Sequence, residues 1–324
     1  MAAASRSLGN LLPATAPATY GILGFSCLLY IVSLLATIRT NGLQPPGGGG
    51  LSALMGLGAI SSNVLQRFGA SLPLPYDLAQ PWRLVMAVFL HGSLMHIVFN
   101  MWVLIDFGPE VEEVYGSARF LFIYVVTGIG GYLLSSLFGH FAIGGSGAIL
   151  GVCGVVLAIT TGRRDAAAEM LRSRVMRLLI YVAVLAILPF GFFGNIDNMA
   201  HIGGLATGFA VGKIMADRPP GSPEERNRAN ALGWATALVV IASVAFMMKG
   251  LIQSGSEVQP AFNWRIPFKH RREVAATQQC CNAIPKWPEI LPLDKYTHAA
   301  RPIKTGCPRS PAQAPTPQAI SRKT

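Results

Sequence analysis

Two residues of this chain are of the types that together perform nucleophilic chemistry, and both open apolar helical segments. Ser146 lies in Gly145-Ser146-Gly147, and His201 follows 55 residues later at the head of another apolar run. Ionisable side chains inside a bilayer are costly and usually face a functional interior rather than lipid. A serine hydroxyl can attack a carbonyl carbon when a neighbouring imidazole takes its proton, so a Ser–His pair is the minimum kit for such catalysis. A third segment adds His96 and Asn100, spaced i and i+4 and therefore on one helix face. Two donors aimed at one point can stabilise the oxyanion of a tetrahedral intermediate. The backbone N–H of Ser146, at a helix N-terminus, is a natural third. Taken singly, each group has an ordinary reading, because serine is a common N-cap and histidine or asparagine can bridge helices. Their combination in one apolar chain is what points to chemistry.

The elements that must position these residues are membrane helices. Of 324 residues, 52% are hydrophobic and 13% charged, a charged share about half that of a soluble domain. This composition describes an all-α polytopic membrane protein with one large helical domain. Apolar stretches suggest seven spans, at 20–38, 94–107, 119–138, 147–161, 175–193, 199–216 and 231–251. A helix needs about 20 residues to cross the hydrocarbon core, so two of these runs are short. The expected organisation is a cytoplasmic N-terminal segment 1–17, a six-span membrane core 18–216 with a long outer loop 40–93, and a cytoplasmic linker 217–230. An additional transmembrane helix 231–251 and a disordered basic tail 252–324 complete it. The outer loop carries a glycine run, Gly47 to Gly50, then Leu51, Leu54, Met55 and Leu57, a pattern that suits an interfacial amphipathic helix.

Charge and cysteine usage narrow the function. The net charge of +11 sits in short loops and in the tail, where cations set membrane topology rather than bind nucleic acid. Cys27 and Cys153 lie in apolar helices and Cys280, Cys281 and Cys307 in the tail, which is neither a disulfide framework nor a metal spacing. No metal, nucleotide or cofactor motif appears. The first fifteen residues lack a basic region followed at once by an apolar core, so no cleaved signal peptide is expected. Arg163, Arg164, Arg172, Arg174 and Arg177 join spans four and five, and Lys213, Arg218, Arg226 and Arg228 lie between spans six and seven. The positive-inside rule makes both loops cytoplasmic, with the N-terminus on the same side and the tail outside. The expected location is a cell membrane, with a bacterial plasma membrane as the default because no organelle-type presequence is seen.

Depth links the chemistry to this topology. Ser146 lies 17 residues above Arg163, and His201 lies 17 above Arg218. Each is then about 25 Å above its arginine, at matching depth a few ångström below the outer surface. His96 lies 16 residues above Glu112, near the same level. Gly147, Gly151 and Gly154 line one side of span four, and Gly204, Gly208 and Gly212 form a small-xxx-small ladder on span six. Such faces let two backbones approach closely and would bring Ser146 within reach of His201. His91, one turn above His96, reads as structural or interfacial, His140 as a solvated loop residue, and Asp106 as a group that caps or snorkels.

These residues resemble the rhomboid family of intramembrane serine proteases. The matches are Trp82-Arg83, His91 through His96 to Asn100, and Gly108-xxx-Glu112-xxx-Gly116. They continue with Gly144-Gly145-Ser146-Gly147 and Ala200-His201-xx-Gly204-xxx-Gly208. The resemblance covers about residues 18–216, six spans, with 231–251 as an added seventh. It implies a rhomboid-like six-helix bundle and a Ser146–His201 dyad with no third acid. It also implies an oxyanion site from His96, Asn100 and the Ser146 amide. Trp82-Arg83 would belong to a loop important for stability, and Glu112 would be a structural partner. Substrates would be single-span membrane proteins in the lipid bilayer whose helices unwind easily near the cut. Leu150 stands where some members stack an aromatic ring on the histidine, and Met86 where many carry a hydroxyl. Two other functions compete with an active protease. One is a rhomboid-like factor that binds and sorts membrane proteins without cutting them, whose mark would be a missing serine or histidine. The other is a transporter or proton channel using His96, His201 and Asp106 as a polar path, which would favour repeated halves that this chain lacks.

Overall fold

The computed structural model of the protein describes residues 16–41, 56–187, 196–215 and 217–253. The basic tail from residue 254, the glycine run, Leu51, Leu54, Met55 and the three tail cysteines lie outside these residues, while Leu57 sits in a turn. The described helices are α1 (Pro17–Asn41), α2 (Ser62–Phe68), α3 (Tyr76–Ala79), α4 (Trp82–Met86), α5 (Leu94–Tyr115), α6 (Ser117–Leu137), α7 (Ser146–Thr160), α8 (Ala166–Ile187), α9 (Asn198–Ile214) and α10 (Pro223–Gln253). Among the described residues the only β-pairing is an isolated antiparallel bridge between Ser71 and Ala142.

Seven helices fall at the seven expected spans, but among the described residues only α1, α5, α6 and α10 are long and apolar enough to cross a membrane unaided. The 15 residues of α7 and the 17 of α9 reach about 22 and 26 Å. Burial explains why α7 can be short. Twelve of its fifteen residues are buried, against α6 and α9, so it is a core helix and need not match the lipid. The helix α10 begins eight residues before the expected 231. Ser222 Oγ accepts from the N–H of Glu225 (3.1 Å), Pro223 takes the first helical position, and Glu224 and Glu225 fill the first turn. Each is a helix-start signal, and together they extend the helix into the expected linker.

Burial in α1 runs opposite to that of a water-soluble helix. Its inward residues are Thr19, Ile22, Ser26, Leu29, Tyr30, Ser33 and Thr37, while Leu28, Ile31, Val32 and Leu35 face out. Lipid is as apolar as leucine, so small and hydroxyl residues belong at the helix interface instead. Ser33 and Thr37 satisfy their hydroxyls on the carbonyls of Leu29 and Ser33. The start of α1 is held by another helix. Glu112 of α5, only 2% exposed, accepts from the N–H groups of Ala18 and Thr19 (2.9 and 2.8 Å) and from Thr19 Oγ1 (2.7 Å). These are first-turn donors with no partner inside their own helix, at the end where the dipole favours a negative charge.

The tightest packing joins α7 to α9 with α6 beside both. A Cβ on Gly204 or Gly208 would overlap the carbonyl oxygen of Gly147 or Gly151, and one on Gly154 would lie 2.8 Å from the nitrogen of Phe209. Across the α6 face, a Cβ on Gly131 would sit 2.6 Å from the Ala200 carbonyl. At the far end, Arg174 of α8 reaches Asp106 (2.9 Å) and Glu110 (2.5 Å) of α5 and lies over the Phe107 ring. Gly208→Val should destabilise the protein by about 1–3 kcal/mol, because backbone rather than a flexible side chain must yield. Thermal unfolding in detergent micelles will show it, with Gly24→Val as a control on a surface that has nothing within 4 Å.

Candidate active site

Ser146 is the first residue of α7, and His201 lies in the first turn of α9. The close approach of Gly147 to the Ala200 carbonyl and of Gly204 to Gly147 brings these two helix heads together. His201 Nε2 and Ser146 Oγ are 2.8 Å apart, in hydrogen-bond contact. His201 Nδ1 is buried without a hydrogen-bond partner among the described residues. Among the described residues no carboxylate reaches that nitrogen, and no aromatic ring stacks on the imidazole; Leu150 is buried in the apolar core.

His96 and Asn100 converge on the loop just before the serine. A Cβ on Gly144 would lie 2.6 Å from His96 Nε2 and 3.8 Å from Asn100 Nδ2, so the absence of a side chain there keeps space open beside both donors. Gly144 also has φ +120°, a conformation other residues rarely adopt. The N–H of Gly92 donates to His96 Nδ1 (3.4 Å), which leaves the hydrogen on Nε2. Asn100 Nδ2 also donates to the His96 carbonyl (3.0 Å).

The first loop supports the stretch leading to Ser146 through backbone contacts. Gly144 N–H donates to the Ala87 carbonyl (2.9 Å), and Tyr132 Oη donates to the carbonyl of Gly144. His91 is fully buried; its Nδ1 pairs with the Phe89 carbonyl (3.1 Å), and its Nε2 accepts from Gly145 N–H (3.4 Å). The structure thus gives His91 a structural place one residue from the serine. Ser71 and Ala142 exchange backbone bonds of 3.0 and 3.1 Å. Buried Asp77 accepts from Ser71 Oγ (2.6 Å), Leu72 N–H (2.8 Å) and Ser136 Oγ (3.0 Å). Burial raises its pKa against the pull of these bonds. Arg83 donates to the Gln66 carbonyl (2.6 Å) at the end of α2, to Ala70 (3.3 Å) and to the Gln80 side chain (2.7 Å). Burial lowers its pKa to about 10, which leaves it charged at neutral pH. Its guanidinium stacks on Trp82, and Trp82 in turn packs where a side chain on Gly69 would go. Met86 is fully buried beneath this loop.

Reading the residues alone passes over Asp197. It is the N-cap of α9, accepting from the N–H groups of Met199 (3.0 Å) and Ala200 (3.1 Å), and its backbone carbonyl accepts from His201. Ser135 of α6 donates to its other oxygen, and His140 Nδ1 lies 3.0 Å from the first. His140 is therefore a hydrogen-bond partner of Asp197 as well as an exposed loop residue. An aspartate just ahead of an apolar helix is a readable start signal. Asp106, ten residues along α5 from His96, lies about 15 Å away and pairs with Arg174, so it does not join the histidines in a polar path.

A helical membrane bundle that closes a serine on a histidine at the heads of two short helices is the class of protein that this fold and site define. Residues 78–218 match the Rhomboid domain. RHOMBOID-like protein 6, mitochondrial, of Arabidopsis thaliana is 35% identical over 177 residues, 53% of this chain and 56% of that protein. Rhomboid protease GluP of Bacillus subtilis is 34% identical over 196 residues, 60% and 36% of the two chains. Rhomboid-like protease 1 of Toxoplasma gondii is 32% identical over 190 residues, 56% and 60%. The chain spans about half the length of the curated relatives it matches. It belongs to the rhomboid family and is a multi-pass membrane protein. Relatives from Arabidopsis, Bacillus and Toxoplasma do not favour the expected bacterial plasma membrane over other membranes. Asp197→Ala should lower stability by about 1 kcal/mol through loss of the α9 cap, while Asp197→Asn should retain most of it. Thermal unfolding of both variants against wild type checks this.

Proposed function

We propose that this protein is an intramembrane serine endopeptidase that hydrolyses peptide bonds in or near transmembrane segments of membrane proteins. The observation that carries the reading is the 2.8 Å contact between Ser146 Oγ and His201 Nε2 inside an apolar bundle. Ser146 Oγ bonds to the scissile carbonyl carbon as His201 takes its proton. The carbonyl oxygen becomes an oxyanion, held by His96 Nε2, Asn100 Nδ2 and the Ser146 N–H. The C–N bond then breaks, the amine leaves with the proton from His201, and the Ser146 acyl ester remains. Water, deprotonated by His201, attacks that ester and releases the acid and free serine. The unpartnered Nδ1 supports a dyad without a third acid.

The same reading sets the orientation. Arg163 pairs with Asp217, and Arg119 donates to the Arg218 carbonyl, so these cations share the end of the bundle remote from Ser146. Glu112 holds the start of α1 at that end too. Positive-inside bias makes it cytoplasmic, with the N-terminus there, six spans through residue 216 and α10 as a seventh. Substrates are then single-span proteins whose helices unwind near the opposite surface.

Cleavage of a transmembrane reporter in liposomes tests the reading. Ser146→Ala and His201→Ala should each abolish cleavage with the fold intact. Asn100→Ala should slow it by about 100–1000-fold, the cost of one oxyanion donor. Undiminished cleavage by Ser146→Ala would sink the mechanism. Failure of folded wild type to cut any of several reporter helices would favour a non-cleaving membrane-protein binding or sorting factor.

A further inference from the structure

At the end of the bundle remote from Ser146, a pocket of about 260 Å³ lies between the α5–α6 turn and the start of α10. Tyr115, Gly116, Ser117, Ala118, Arg226 and Asn230 line it. Tyr115 is fully buried, and among the described residues its hydroxyl has no hydrogen-bond partner. Such a donor is costly to leave unmade and favours a polar partner beside it. Ser117 and Ala118 are the first residues of the 21-residue α6, and Gly116 ahead of them offers no side-chain cap. The N–H groups and dipole of such an end attract anions. Arg226 donates to the Gly221 carbonyl (3.2 Å), and among the described residues no carboxylate pairs with it.

A second pocket, of about 470 Å³, lies farther along the same helices, where Gly21, Phe25, Phe89, Leu121, Ala237 and Val240 form apolar walls. It belongs to α1, α6 and α10, each long and apolar enough to cross the membrane, so its surroundings are hydrocarbon. The two pockets flank the contact of Ala118 with Gly233. Arg226 and Ala237 are 11 residues apart on α10, about 16 Å along the axis. That fits within one leaflet, roughly 20 Å with its headgroups. An anion site with an apolar groove one leaflet's reach away matches a single kind of molecule.

We propose that the α1–α6–α10 face binds one anionic phospholipid, its phosphate at Tyr115, the α6 N-terminus and Arg226, and an acyl chain in the groove. Basic pockets between membrane helices on the positively charged side suit such headgroups. The site uses no residue of the Ser146–His201 pair, so it stands whether or not the protein is a protease.

Native mass spectrometry of the purified full chain, titrated with phosphatidylglycerol, phosphatidylcholine or inorganic phosphate, tests the proposal. Wild type should retain one phosphatidylglycerol in preference to phosphatidylcholine, and Arg226→Gln should weaken that preference about fivefold. Arg226→Lys should restore most of it. Ala237→Trp, which fills the groove, should weaken both lipids. Equal retention of the two lipids by wild type, or an unchanged preference in Arg226→Gln, would overturn the proposal. So would displacement of phosphatidylglycerol by inorganic phosphate, which would reveal a site for a soluble anion.

Discussion

Everything about this site depends on how closely two backbones can lie. Helices in a bilayer gain little from hiding apolar surface from one another, so their association rests on contact distance. Between α7 and α9 that distance is set by glycine. The carbonyl oxygens of Gly147 and Gly151 occupy the space that side chains on Gly204 and Gly208 would need. Ser146 and His201 are each one step along the chain from a residue in this seam, Gly147 and Ala200. The register of the seam therefore fixes the distance between Ser146 and His201. A shift of one residue along either helix would separate them by a third of a turn.

Polar groups then pin the ends of the bundle where glycine cannot. At one end Glu112 ties α5 to the start of α1 and Arg174 ties α8 to α5. At the other, Asp77 joins the first loop to the end of α6 through Ser71 and Ser136. Asp197 joins α9 to α6 through Ser135. Each carboxylate takes up backbone or hydroxyl donors that the apolar surroundings leave without water. The serine is reached by the same logic, since Ala87, Tyr132 and His91 grip the two residues before it by backbone atoms alone.

Much of this was legible in the sequence because membrane helices leave few polar residues to weigh. Ser146, His201, His96 and Asn100 stand out by type, and the two glycine ladders stand out by their spacing. The structure brings these four polar residues to one end of the bundle, and the glycine ladders run from that end along α7 and α9. Asp197 was less legible because its role depends on three elements meeting, and a loop aspartate carries no period. His91 read as structural or interfacial with no partner named, because its spacing from His96 says nothing about Gly145, 54 residues away. The start of α10 could have been read from Ser222, Pro223 and Glu225, but the weight of its later apolar run drew the boundary inward. Helix length was the least readable quantity. It is set by how much of α7 touches protein instead of lipid, which only the packed bundle defines.

The glycine seam has a further consequence for the cell that hosts this protein. Histidines inside a bilayer invite a leak of protons across it. From Gly147 to Gly212, however, α7 and α9 lie so close that a side chain on Gly154, Gly204, Gly208 or Gly212 would run into the facing helix. A file of water molecules needs far more room. The backbone contact that assembles the Ser–His pair therefore also seals the bundle beneath it, and water that reaches the pair from one surface finds no route along this seam to the other. An ionisable site can then sit within the membrane without short-circuiting the gradient that the membrane maintains.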